Sequence, residues 1–299
     1  MGILLGLAAA ILYGSSDFGG GLLSRRLGSL AVNVVGSSAA VVLVWIALAA
    51  TNGNAFGSHS PSVHAIVWGI VSGVGGAVGT LVLYRGLARG QMSVVGPVSA
   101  VGAAVLPATV GIAMGERLGV LTVVGVVVAL PAIALVAAGS KPASAGSVSG
   151  GAAGRVAAGR AAAGRGAVLD GIAAGVAFGV MFIGLAQAGS HSGLWPVAFE
   201  QTSSVAFIIA VAIKVHAPLG LRLRSIAAPA LVGAGGMAAT LLYFFATHSG
   251  MLATVAVLTS LYPGVTVLLA RVVLSERFSS AQRAGLGLCT LAIVAIAVN

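Results

Sequence analysis

GQMSVVGPVSAVGAAVLPATVGIAMGERLG, residues 90–119, carries no Asp, Glu, Lys or Arg before Glu116 and Arg117 and is dense in Val, Ala and Gly. Such a segment suits the hydrocarbon core of a bilayer, about 30 Å thick, which about 20 helical residues cross. A second stretch, GMLATVAVLTSLYPGVTVLLARVVLSERFS at residues 250–279, has the same build: an apolar run holding a proline and closing in Glu276-Arg277. The pair lies at a shift of 160 and predicts a membrane protein made of two related halves.

Working outward, ten apolar segments follow one another, at residues 3–23, 31–50, 64–88, 93–114, 118–138, 167–188, 194–215, 226–247, 251–273 and 280–298. They are continuously apolar and lack the period-two alternation of a membrane barrel, so the fold class is all-α. The shift of 160 also aligns Gly90 with Gly250, Gly125 with Gly285, and Ala132-Ile133 with Ala292-Ile293. A shift of 165 aligns GLAAAILYG at Gly6 with GIAAGVAFG at Gly171. The expected architecture is therefore ten transmembrane helices as two five-helix repeats. Because five is odd, the second repeat enters the membrane inverted, as in carriers that alternate access around a central site.

Residues 1–139 form the first repeat and 167–299 the second. Residues 140–166, rich in Gly, Ala and Ser with spaced arginines, are expected to be a flexible basic linker. Small residues at four-residue spacing, as in Gly171, Gly175 and Gly179 or Gly6, Ala10 and Gly14, predict close helix packing in lipid. The first span has no basic residue before it and Arg25-Arg26 after it, so it reads as a retained helix rather than a cleaved signal.

Composition narrows the function. Hydrophobic residues make up 59% and charged residues 7%, against about 25% charged in a soluble domain, so no separate catalytic domain is expected. The net charge of +10 sits at span ends, where anionic headgroups attract it, and nucleic acid is not an expected partner. The sole cysteine, Cys289, lies within the last span and permits neither an intramolecular disulfide nor a cysteine cluster. Five acidic residues spread over two faces form no catalytic set, so an enzyme is not expected, nor a metal or organic cofactor. With no nucleotide-binding motif, the driving force should be a proton or other ion gradient.

Basic residues Arg25, Arg26, Arg85, Arg89, Lys141, Arg155, Arg160, Arg165, Lys214, Arg222, Arg224, Arg271, Arg277 and Arg283 fall on one face and Arg117 on the other. The positive-inside rule then puts the linker in the cytoplasm and both termini outside.

The paired segments quoted above, with YGSSDFGGGLLSRR in the first span, resemble a bacterial EamA-type member of the drug/metabolite transporter superfamily over nearly the whole chain. The specific elements are the two five-helix repeats, Tyr13-Gly14-Ser15, and the proline-bearing helix closing in Glu-Arg in each half. The resemblance implies a multi-pass plasma (inner) membrane carrier that exports a small metabolite, an amino-acid-like compound or a drug. It implies a cavity lined mainly by spans one, three, four, six, eight and nine, and termini in the cytoplasm, opposite to the charge bias. Translocation of a lipid-linked substrate and a non-transporting sensor or structural role are the alternatives.

Ionisable groups inside a membrane cost free energy unless partnered or wetted, which makes them the site candidates. Asp17 and Arg85 are expected at similar depth and could form an ion pair that a zwitterionic or anionic substrate opens; the alternative is a static packing pair. Glu200, beside Gln201, and His248 could couple transport to protons, or be an interfacial residue and a helix cap. Tyr84, Tyr243 and Tyr262 could add hydroxyls and aromatic faces to a cavity. Pro97, Pro107 and Pro263 each remove a backbone donor and are candidate helix breaks or gates. Glu116 and Glu276 read as turn residues paired with neighbouring arginines.

Overall fold

The structure, a computed structural model, describes residues 1–50, 60–88, 92–138, 153–189, 192–216, 226–274 and 279–298. Glu276, Arg277, Arg89, Lys141, Arg222 and Arg224 lie outside the described residues, as does 140–152 of the expected linker. Eleven helices follow in order among the described residues: α1 (Gly2–Leu27), α2 (Ser29–Ala50), α3 (Val63–Ala88), α4 (Met92–Ala113), α5 (Val120–Ala138), α6 (Ala153–Gln187), α7 (Trp195–Lys214), α8 (Ala227–Ser249), α9 (Leu252–Thr259), α10 (Tyr262–Leu274) and α11 (Ser280–Ala297).

The all-α reading holds. Among the described residues, seven helices are long and apolar enough to cross a membrane, with α9 and α10 counted as one span. Shorter apolar helices at Val98–Ala113, Val120–Leu135 and Ser280–Ile296 stand where spans four, five and ten were expected. Helix α6 begins at Ala153, so the last part of the expected linker is helical. Alanine, the strongest helix former, recurs there between the arginines and outweighs the glycines.

Local chemistry fixes the ends. Helix α1 stops at Gly28, whose φ of 84° is left-handed backbone, and Arg25 and Arg26 in its last turn oppose the helix dipole. Helix α11 opens on a capping box between Ser279 and Gln282. Span nine is divided at Ser260–Leu261, and Pro263 takes the second position of α10, where a missing N–H breaks no helical bond. Pro97 and Pro107 behave differently. Both lie within the uninterrupted α4, so neither is a helix break: each removes one donor from a long ladder.

Large apolar side chains such as Ile46, Val127, Leu169, Leu231, Val272 and Leu291 point outward, while the interior is built largely of Ala, Gly and Val. That arrangement suits lipid, where small residues let backbones approach. A methyl added at Gly175 of α6 would lie 2.9 Å from the Ser99 carbonyl and 3.1 Å from Gly102 Cα of α4. Gly14 of α1 likewise faces Val265 of α10. The contact pattern repeats between the halves. Helix α1 packs on α8 and on α9 and α10, and α6 packs on α3 and α4; α2 packs on α8, α7 on α3, and α5 on α11.

One end contact was not legible in the turn chemistry. The Glu116 carboxylate accepts from the Leu252 N–H at 2.5 Å and the Ala253 N–H at 2.9 Å, capping α9 instead of pairing with an arginine. Leu252 and Ala253 are buried and the N-cap residue Met251 supplies no side-chain bond, so water does not replace the carboxylate. Glu116→Ala should cost about 2 kcal/mol through two lost charge-assisted bonds. Thermal unfolding in detergent checks this; an unchanged midpoint would show that the cap contributes nothing.

Candidate functional site

Seven elements converge on one cavity of about 120 Å³. Helical spacing explains which side chains reach it. On α1, Tyr13, Ser16 and Asp17 fall on one face; on α3, Gly76, Thr80 and Tyr84 recur every four residues; on α8, Gly233, Gly236 and Thr240 follow at spacings of three and four. Helix α2 adds Asn33, Gly36 and Ser37, α6 adds Phe178, Met181 and Phe182, α7 adds Glu200, Gln201 and Ser204, and α10 adds Tyr262.

Two carboxyls face this space. Glu200 is 3% exposed, and its Oε2 has no hydrogen-bond partner among the described residues. Its seat is made by glycines of α3: no side chain fits at Gly73 against the Glu200 backbone, and a methyl at Gly76 would lie 3.3 Å from Oε1. Asp17 lines the same cavity from α1. Tyr13, Tyr84 and Tyr262 all lie within electrostatic reach of Asp17, and Tyr13 of Glu200 as well.

The hydroxyl network has a direction. Thr240 Oγ1 donates to the Gly236 carbonyl at 3.0 Å, so the Tyr13 hydroxyl is the donor in its 2.9 Å contact with Thr240. Ser99 Oγ donates to the Gly96 carbonyl at 2.7 Å, and Tyr262 therefore donates to Ser99 at 3.3 Å. Thr80 Oγ1 donates to the Gly76 carbonyl at 2.5 Å. These hydroxyl protons are spent on the protein and leave lone pairs, while Ser37, Gln201 and Ser204 also line the cavity with donors of their own.

Of the residues singled out in the sequence, Asp17, Tyr84, Glu200, Gln201 and Tyr262 are brought together here. Glu200 is a buried cavity residue and not an interfacial one. Tyr243 stands one layer back, its ring stacked on Phe182 at 4.3 Å and its hydroxyl donating to the Phe182 carbonyl at 3.1 Å. His248 does not line the cavity; its Nδ1 donates to the Phe244 carbonyl at 2.6 Å, back along α8. Pro107 and Pro263 are buried in helices α4 and α10, and neither lines the cavity.

The expected ion pair of Asp17 with Arg85 is not formed. Arg85 Nη2 pairs with Asp170 Oδ1 of α6 at 2.5 Å, with the Arg85 side chain half exposed. Successive helix residues point about 100° apart. Tyr84 turns inward against Gly20, so its neighbour Arg85 must turn toward the outer flank of α6. The lining also differs from that implied by family resemblance. Spans two and seven contribute, and span four contributes none of its described residues beyond Ser99 backing Tyr262.

Asp170, Asn33, Ser16, Thr80 and Thr240 were missed by sequence reasoning. The shift of 160 could have found the two threonines, because it also pairs Gly73 with Gly233, Gly76 with Gly236 and Thr80 with Thr240. Both threonines bond back to the paired glycine carbonyls, so the two halves supply matching walls. The carboxyls break that match. At a shift of 165 Asp17 corresponds to Phe182, which lines the same cavity without a charge.

Residues 165–298 match the model of the EamA-like transporter family, which bears out over that half the resemblance read from the sequence. A solved structure described only as "Crystal structure of protein" superposes at TM-score 0.71 and 16% identity, covering 99% of this chain and 96% of that one. At that identity the likeness is one of fold. No curated protein matches.

Proposed function

We propose that this multi-pass, transporter-like membrane protein is a secondary carrier that moves a small solute by alternating access, driven by a proton gradient. The observation that carries the reading is the cavity: two carboxyls, three tyrosines and several hydroxyls gathered inside a bundle whose other buried polar residues, among those described, are mostly Ser and Thr and carry no charge. Buried polar groups cost stability, and such a cluster suits a polar ligand better than packing. We read the three shorter apolar helices as completing ten spans in two inverted five-helix repeats. The exchange of packing partners between spans one to five and six to ten supports this, as do the paired glycines and threonines.

The broken span nine and the glycine crossings offer places where helices can rock without losing side-chain packing. Proton coupling rests on Asp17 and Glu200, whose charge must be carried by a proton or a solute when the cavity dries. The ends of α1, α3, α7 and α10, with Arg25, Arg26, Arg85, Lys214 and Arg271, form the basic face that the positive-inside rule assigns to the cytoplasm of a plasma-membrane protein. Export as the direction of transport is part of this proposal, and the match of residues 165–298 to an EamA-like transporter family supports the carrier reading.

The test is flux of labelled amines, amino acids and related metabolites into proteoliposomes, with and without an imposed pH gradient. Saturable flux that accelerates with the gradient is expected. Absence of flux for every compound, from protein with cooperative unfolding, would overturn the carrier reading.

A further inference from the structure

Charge and hydrogen-bond polarity in the cavity specify more than its location. The residues lining it include Asp17 and Glu200 and no Lys, Arg or His. Glu200 is one of the lining residues, and its buried Oε2 has no hydrogen-bond partner among the described residues. Tyr13, Tyr262, Thr80 and Thr240 have turned their protons onto protein oxygens and leave acceptors behind. Aromatic faces complete the lining, with Phe178 and Phe182 on α6 and Tyr84 on α3. The arginine that would have held a substrate carboxylate, Arg85, is paired with Asp170 at the bundle flank.

Resting on the carrier reading, we propose that the solute is an organic cation carrying an ammonium group, held between Asp17 and Glu200 with its apolar part against the aromatic lining. An ammonium supplies only donors, which the exposed lone pairs and the two carboxyls accept. Its positive charge is drawn to aromatic faces by their quadrupole. A carboxylate-bearing solute would instead face two like charges with no basic partner among the lining residues, a strong penalty in a poorly solvated site. A neutral solute would leave both carboxyls to be neutralised by protons alone.

A charge series on one scaffold tests this without any substitution. Binding of phenethylamine, phenylalanine and 3-phenylpropionate to the purified full chain in detergent is measured by calorimetry. The same comparison with butylamine, 4-aminobutyrate and butyrate removes the ring. The amine should bind at least about tenfold tighter than the zwitterion and the anion in the aromatic series, and Glu200→Gln should weaken it about tenfold. Equal or tighter binding of a zwitterion or an anion, or no amine preference in either series, overturns the proposal. Flux measured on the same preparations separates the two readings. Zwitterion or anion flux without amine preference leaves the carrier standing and removes the charge assignment. Selective amine binding with no flux does the opposite.

Discussion

Replacing Gly233 by valine should dismantle the cavity and cost about 3 kcal/mol or more of stability, the upper range for overpacking a tight interface. The reason is geometric. Gly233 of α8 lies directly on the Gly36 backbone of α2, and even the first carbon of a side chain there would overlap the Gly36 carbonyl. Backbone cannot rotate away as a flexible side chain would, so α2 and α8 must separate. Both glycines line the cavity, and their separation spreads the wall that carries Asn33 and Thr240. Gly36→Ala provides the contrast: its added carbon would sit 3.3 Å from the Pro229 carbonyl, a contact that a few tenths of an ångström relieve. Unfolding midpoints of the two variants in detergent, with amine binding as a second readout, check the argument. Equal tolerance of both substitutions would mean that α2 and α8 do not cross here.

The second large effect separates the expected ion pair from the one that forms. Asp17→Asn keeps the shape but exchanges a charged acceptor oxygen for a neutral NH2 donor at the cavity, and flux should fall about 100-fold, equivalent to about 3 kcal/mol. The unfolding midpoint should not fall, since no Asp17 salt bridge is broken. Arg85→Gln should change flux by less than about threefold, because its partner is Asp170 and a half-exposed pair contributes about 1 kcal/mol or less. Comparable losses in both variants would restore Arg85 to the transport site. Loss of folded protein in Asp17→Asn would assign Asp17 to packing.

How much of this was legible in the sequence depended on range. Pro263 sits just after the break in span nine, at the second position of α10 where a missing N–H costs no helical bond, a preference visible in one residue. Pro107 carries the same chemistry and leaves α4 intact. The glycine rows on α1 and α6 were legible as packing faces; the first meets α9 and α10 and the second meets α4. Glu200 was visible as an intramembrane carboxylate but not as a buried one. Its burial is set by the seating of α7 on glycines of α3, far away in sequence. The Glu116 cap joins residues 136 apart and leaves no local signature.

The sequence by itself determined that the chain is helical and built for a bilayer. Length, apolarity and small-residue spacing are periodic properties of each segment, and lipid leaves the backbone no alternative but to bond within its own helix. Only the tertiary structure decided which polar groups share a space: Asp17 with Glu200 in the cavity, Arg85 with Asp170 on the flank, and α2 and α7 in the lining where α4 was expected. A helix offers its side chains in every direction, about 100° apart per residue. Rotation about each axis is fixed by how neighbouring glycine faces meet, and that is a property of helix pairs rather than of any one segment.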